Sequence, residues 1–264
     1  MNILITGAAS GIGSAAAEHF LSRGHKVYAV DVKKCDDRVD FYSYVADITD
    51  EASLTTVKDE LASASVELDA IVCIAGVHTM AALVESEYSR IKRVIDVNLL
   101  GTMLTCRVFH SLLREKGRVV IVTSEVATYE PMPFNGLYNV SKSALESYAD
   151  ALRQELNLLG QSVVTVRPGA IETPLAASSA TSTAALASST ALYENQAKHF
   201  CSLVSKFTGT PMPPAVLAPL IYKATASLSP RCSYAKNRNP GLVMLSLLPK
   251  KLQCAIIKIL LNRK

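Results

Sequence analysis

The chain has 264 residues, 49% of them apolar, and a formal net charge of +4. That length can bury a sizeable core within one domain, read here as 1–264, and so small a surplus of charge, with no basic stripe interleaved with aromatics, excludes a nucleic-acid partner. The six cysteines and five histidines lack the paired spacings of a ligand set, so no metal is expected. The chain begins directly in an apolar strand with no leader, and its scattered cysteines read as reduced thiols, which together predict a cytoplasmic protein.

Asn2 to Thr6 reads as a short buried strand, followed by Thr6-Gly7-Ala8-Ala9-Ser10-Gly11-Ile12-Gly13 and a helical stretch through Leu21. A strand, a glycine-rich turn and a helix N-terminus form a phosphate cradle. Gly7 allows the sharp turn, Gly11 lets backbone approach a pyrophosphate beside Ser10 and Ile12, and Gly13 permits close packing. The second strand, Lys26 to Val30, ends in Asp31, eighteen residues beyond Gly13, close to where a carboxylate accepts hydrogen bonds from an adenosine ribose. Such a carboxylate repels a 2′-phosphate, so NAD is expected over NADP, although Lys33 and Lys34 follow closely. Further strands are read at Tyr42–Ala46, Ala70–Ala75, Arg118–Thr123 and Val163–Val166, with long amphipathic helices at Asn98–Arg114 and Leu137–Leu159. Continuous apolar runs alternating with helices predict an α/β fold: a Rossmann-like, doubly wound parallel sheet of about seven strands in three layers. Within Leu137–Leu159, Tyr138 and Lys142 lie four residues apart, which stacks a phenol and an ammonium on one helix face. A cation held there favours the phenolate and draws the phenol down from about 10 toward the range of proton exchange with an alcohol or ketone.

Taken together, these motifs resemble those of the short-chain dehydrogenase/reductase family, from Asn2 to about Thr173. The similarity is carried by Thr6 to Gly13, Asp47, Ala75-Gly76, Asn98, Ser124, Tyr138 with Lys142, and Pro168-Gly169 followed by Thr173. It implies that Tyr138 exchanges the proton, that Lys142 lowers its pKa and grips the nicotinamide ribose, and that Ser124 holds the substrate oxygen. Asn98 would hold a water linking Lys142 to solvent. Asp47 and Ile48 would line the adenine slot, Ala75 and Gly76 would admit the ribose, and Pro168, Gly169, Ile171 and Thr173 would flank the nicotinamide. Two departures stand out. Cys73-Ile74 replace the family's Asn-Asn before Ala75-Gly76, and Ser124 lies fourteen rather than thirteen residues before Tyr138, with Glu125 at the common position read as structural.

After Thr173 the chain is small and uncharged from Ala176 to Ala185, then helical in pattern from Tyr193 to Phe207, which places a flexible substrate lid near 174–210. Ser229 to Tyr234 and the apolar, basic segment 241–264, with Lys250, Lys251, Lys258, Arg263 and Lys264, resemble relatives acting on steroids and retinoids. The resemblance implies an oxidoreductase interconverting a lipophilic secondary alcohol and ketone, such as a steroid or bile acid. Reduction of a 3-oxoacyl thioester and a non-catalytic dinucleotide-sensing role are the alternatives. A homodimer or homotetramer is implied by the family's helix pairing, and the terminal segment is a candidate for peripheral membrane contact.

Overall fold

The computed structural model describes residues 1–262 apart from Asp37, Glu130 and Thr208. Arg263 and Lys264, two of the terminal cations, and Thr208 in the expected lid lie outside the described residues. Seven parallel strands form one sheet in the order β3-β2-β1-β4-β5-β6-β7. They are β1 (Asn2–Thr6), β2 (Lys26–Asp31), β3 (Phe41–Val45), β4 (Leu68–Cys73), β5 (Leu113–Val122), β6 (Ser162–Pro168) and β7 (Ser233–Lys236). The helices are α1 (Gly11–Leu21), α2 (Glu51–Ser63), α3 (Tyr88–Ile95), α4 (Gly101–Phe109), α5 (Gly136–Asn157), α6 (Pro174–Leu186), α7 (Glu194–Phe207), α8 (Ala218–Ala226), α9 (Pro240–Ser246) and α10 (Lys250–Leu261).

Successive strand residues point to opposite faces, and both faces are dry. Ile3 and Ile5 pack with Ala16, Ala17 and Phe20 of α1 and Ile221 of α8. Leu4, between them, packs on the other side with Leu54 of α2, Phe109 of α4 and Leu145 of α5. A third cluster, Phe134, Leu186, Phe200 and Leu261, joins α6, α7 and α10 above the C-terminal edge of the sheet. The strand order reverses between β1 and β4, so the loops leaving them diverge and open a crevice there.

Three local readings differ from the sequence expectation. The helix expected over Asn98–Arg114 is divided: α3 runs through a π-helical turn, Asp96–Leu100, into α4, which ends at Phe109. Leu113 instead pairs with Leu68 in the sheet, where its side chain is buried. The expected flexible stretch after Thr173 is the helix α6. Its alanines favour helix, and its hydroxyls bond back to the preceding turn, Thr181 to Ala177 O (3.1 Å) and Thr183 to Ser179 O (2.8 Å). Ser229–Tyr234 leads into the edge strand β7, with the Tyr234 hydroxyl accepting from Arg231 N–H at 3.1 Å.

Gly13 fixes how α1 leaves the sheet. A Cβ there would lie 2.0 Å from the Gly7 carbonyl oxygen. Gly13→Ala is therefore expected to lower stability by at least about 2 kcal/mol, through overpacking against backbone that cannot yield. An unchanged urea midpoint would contradict this packing.

Candidate active site

A cavity of about 1550 Å³ runs along the C-terminal edge of the sheet, from the β1–α1 loop to the helices α6, α7, α9 and α10. Its first end is the glycine turn. Gly7 has φ +72°, and a Cβ on it would lie 2.8 Å from the Ala75 backbone, so only glycine lets the ends of β1 and β4 come this close. Ser10 caps α1 with no side-chain hydrogen bond to the helix, so the first-turn N–H groups beside Gly11 and Ile12 are presented to an anion rather than to their own cap. At the end of β2 the Asp31 carboxylate accepts from Ala9 N–H and Lys33 N–H, both at 3.0 Å. This leaves it facing the cavity with lone pairs for a pair of hydroxyls.

Asp47 and Ile48 line the same end, with Asp47 Oδ1 accepting from the backbone and the hydroxyl of Thr49, both at 2.8 Å. Ala75, Gly76, Pro168, Gly169, Ile171 and Thr173 form the middle of the wall. Thr173 also caps α6, its Oγ1 accepting from Ala176 N–H at 3.1 Å, which leaves the hydroxyl proton available to a second partner. The replaced Asn-Asn is compensated locally. Thr6 Oγ1 accepts from Ile74 N–H at 3.2 Å, and the Cys73 and Cys106 sulfurs are in contact at 3.9 Å, both as free thiols.

Tyr138, Lys142 and Ser124 converge at the floor. All three are buried, Ser124 is hydrogen-bonded to the Tyr138 hydroxyl, and Lys142 Nζ lies 5.8 Å from the centre of the Tyr138 ring while donating to Val122 O at 3.1 Å. The electrostatics differ from the sequence expectation. Burial pushes the Tyr138 phenol up to about 12, opposed by the Ser124 hydrogen bond, because removal from water disfavours the charged phenolate. Burial equally draws Lys142 down to about 8, opposed by the Glu146 carboxylate and Cys73. The buried tyrosine is thus held as a neutral proton donor, and lysine is the group that titrates near neutrality.

Asn98 stands behind the wall rather than on it. Lying in the π-helical turn and fully buried, its Oδ1 accepts from Val77 N–H (2.8 Å), and its Nδ2 donates to Val77 O and Ser141 Oγ, both at 2.9 Å. Through these protein partners the side chain braces the loop after β4 against α5. Gly13 likewise sits behind the cradle it shapes. Glu125 is structural in its contacts, with Oε2 accepting from Asn239 N–H at 2.6 Å at the start of α9.

Two further residues at the site were not singled out in the sequence. His78 packs its ring on Tyr138, centroids 4.3 Å apart, with Nε2 at 2.9 Å from Asn135 Oδ1. Burial holds it down at about 4, so it is neutral near pH 7, and its Nδ1 is buried with no hydrogen-bond partner among the described residues. Only its tertiary placement reveals it. Glu146, by contrast, continues the four-residue stack from Tyr138 through Lys142 and was open to the same spacing argument. It is held by a two-point ion pair with Arg167 (2.9 and 2.7 Å) and by the Thr123 hydroxyl.

Residues 1–184 match the family model described as short chain dehydrogenase. The chain belongs to the short chain dehydrogenase family. Among its relatives, the NADPH-dependent 1-acyldihydroxyacetone phosphate reductase of Schizosaccharomyces pombe is 33% identical over 180 residues, covering 66% of this chain and 60% of that one. The 3-ketodihydrosphingosine reductase of Bacteroides thetaiotaomicron is 27% identical over 173 residues, covering 65% and 64%. The matches thus span under two thirds of either relative's length. The crystal structure of a short-chain dehydrogenase from Streptomyces avermitilis shares the fold, with a TM-score of 0.77 at 21% identity over 98% of this chain and 95% of that one.

The geometry sets two expectations for a short chain dehydrogenase. Ser124→Ala should lower turnover on the order of 10²-fold through loss of one donor to the developing charge, whereas Glu125→Gln, which keeps its acceptor oxygen, should stay within about 10-fold. The reverse ranking would transfer the substrate-binding role to Glu125. In the pH profile of kcat/KM for ketone reduction, the rate should be level below about 8 and fall above it as Lys142 loses its proton. No break near 6.5 is expected from His78. Glu146→Gln removes an anion that favours the ammonium, so the break should move to lower pH; a break that stays put would separate Glu146 from Lys142.

Proposed function

We propose that the protein is an NAD(H)-dependent oxidoreductase interconverting a lipophilic secondary alcohol and its ketone, a steroid or bile acid being the favoured class. The observation that carries this reading is the hydrogen-bonded Ser124–Tyr138 pair with Lys142 buried beside it, at the floor of a cavity with a backbone-lined anion cradle at one end and apolar helices at the other.

The residues present fit a dinucleotide. A Cβ at Gly7 or Gly13 would close the cradle, the cap-free start of α1 suits a pyrophosphate, and Asp31 suits a ribose diol while repelling a phosphate. Bound there, the nicotinamide ring would exchange a hydride with the substrate carbon. In the reducing direction the Ser124 and Tyr138 hydroxyls hold the carbonyl oxygen, and Tyr138 delivers its proton to that oxygen as charge develops on it. The ammonium of Lys142 stabilises the phenolate left behind and passes on the replacement proton. Thr173, whose Oγ1 accepts from Ala176 N–H, would hold the carboxamide of a bound nicotinamide through its hydroxyl proton.

The preference for NAD rests on Asp31, although the yeast relative is named as NADPH-dependent. The lipophilic reading rests on Leu175, Phe200, Val204, Leu242 and Leu245, which line the far end of the cavity. The names of the two relatives, an acylated dihydroxyacetone phosphate reductase and a 3-ketodihydrosphingosine reductase, favour a straight-chain lipid ketone as the second reading.

Tyr138→Phe should keep NADH affinity and lose essentially all reduction, and retained turnover would overturn the mechanism. Catalytic efficiency should be higher with NADH than with NADPH, and Asp31→Ala should narrow the ratio by about 10-fold or more, as expected when a charge opposing the 2′-phosphate is removed. A spectrophotometric screen of steroid, bile-acid and acyl ketones identifies the class; coenzyme binding without oxidation against any of them would favour the sensing role.

A further inference from the structure

The helices α9 and α10 have two apolar sides. Leu242, Leu245, Ile257 and Leu261 line the cavity. On the outside, Met244 is 71% exposed, Leu247 79%, Leu252 47% and Ile259 62%. Leu252, Ile256 and Ile259 follow the spacing of one helical stripe, and the exposed Lys251 and Lys258 run along its flank. Neither helix is long and apolar enough to cross a membrane.

The charge distribution singles out the same region. Every one of the 23 acidic residues lies at or before Glu194, while eleven of the 27 basic residues follow it. The modest net charge of the chain therefore conceals an acid-free, cationic C-terminal segment that carries an exposed apolar stripe.

We infer that the outer face of α9 and α10 docks on a bilayer surface bearing anionic headgroups. Leu247, Leu252 and Ile259 enter the boundary between headgroups and acyl chains, and Lys251 and Lys258 meet the lipid phosphates and carboxylates. A second copy of the same face is a poor partner, because it would set lysine against lysine with no carboxylate on either helix. A polyanion such as nucleic acid would satisfy the lysines and leave the apolar stripe in water. Anionic lipid satisfies both. The docking places the walls of the lipophilic end of the cavity against the membrane, but the inference does not rest on the substrate reading, since its test measures partitioning and not turnover.

The test is co-sedimentation of the full chain with phosphatidylcholine vesicles, pure or containing about one third phosphatidylserine. The wild type should bind the mixed vesicles, more weakly as salt rises, and leave pure phosphatidylcholine largely unbound. Lys251→Glu with Lys258→Glu should cut binding by at least about 10-fold, and so should Leu252→Ser with Ile259→Ser. Both pairs should retain the wild-type melting temperature and native (oligomeric) mass; if either pair fails to fold, Leu247→Ser and Lys251→Ala serve in its place. Absence of binding to the mixed vesicles at low salt overturns the proposal. So does binding that survives the serine pair unchanged, which marks a plain cationic patch, or a fall in native mass without loss of vesicle binding, which marks a subunit contact.

Discussion

The chemistry of this fold depends on the burial of one ammonium group. Lys142 is enclosed between the sheet and α5, and a lysine removed from water is a weaker base, just as a buried phenol is a weaker acid. Two groups whose ordinary values nearly coincide are driven apart in opposite directions by the same desolvation. The result is a division of labour at neutral pH, with tyrosine holding its proton and lysine poised to exchange one. Glu146, anchored by Arg167, limits how far the separation goes by keeping an anion on the same helix face.

That enclosure in turn requires the scaffold. Lys142 Nζ is engaged by the last carbonyl of β5, Ser124 follows two residues later, and Asn98 clamps the loop after β4 to α5 beside them. Two adjacent strand ends and one helix are therefore registered to each other by polar contacts in a region where a free polar atom would be costly. The crevice at the reversal of strand order lies beside this group, so the glycine cradle and Tyr138 share one edge of the sheet.

Much of this was legible because it is local. The glycine turn, the acidic end of β2 and the Tyr138–Lys142 spacing are short-range patterns, each tied to a backbone requirement or a helix face. What escaped is tertiary. His78 reaches Tyr138 from a different element, and nothing in Val77-His78-Thr79 marks it. The pattern over Asn98–Arg114 ran through two helical segments and into a strand, because apolar side chains continue while their partners change from helix to sheet. The small-residue stretch after Thr173 gave no periodic signal, yet a cap, alanines and backbone-bonded hydroxyls suffice for α6. The direction of the Tyr138 shift was misjudged because a spacing argument registers the neighbouring cation and is blind to lost solvent.

The hydrogen bond from Asn239 N–H to Glu125, together with that from Arg238 to the Tyr129 hydroxyl, joins the segment after Ser124 to the chain entering α9. These links make the tail a mechanical support of the reaction centre. Proteolytic trimming past Lys236, or an appended tag that pulls on those final helices, would act at a distance, loosening the serine that steadies the phenol while leaving the dinucleotide cradle intact.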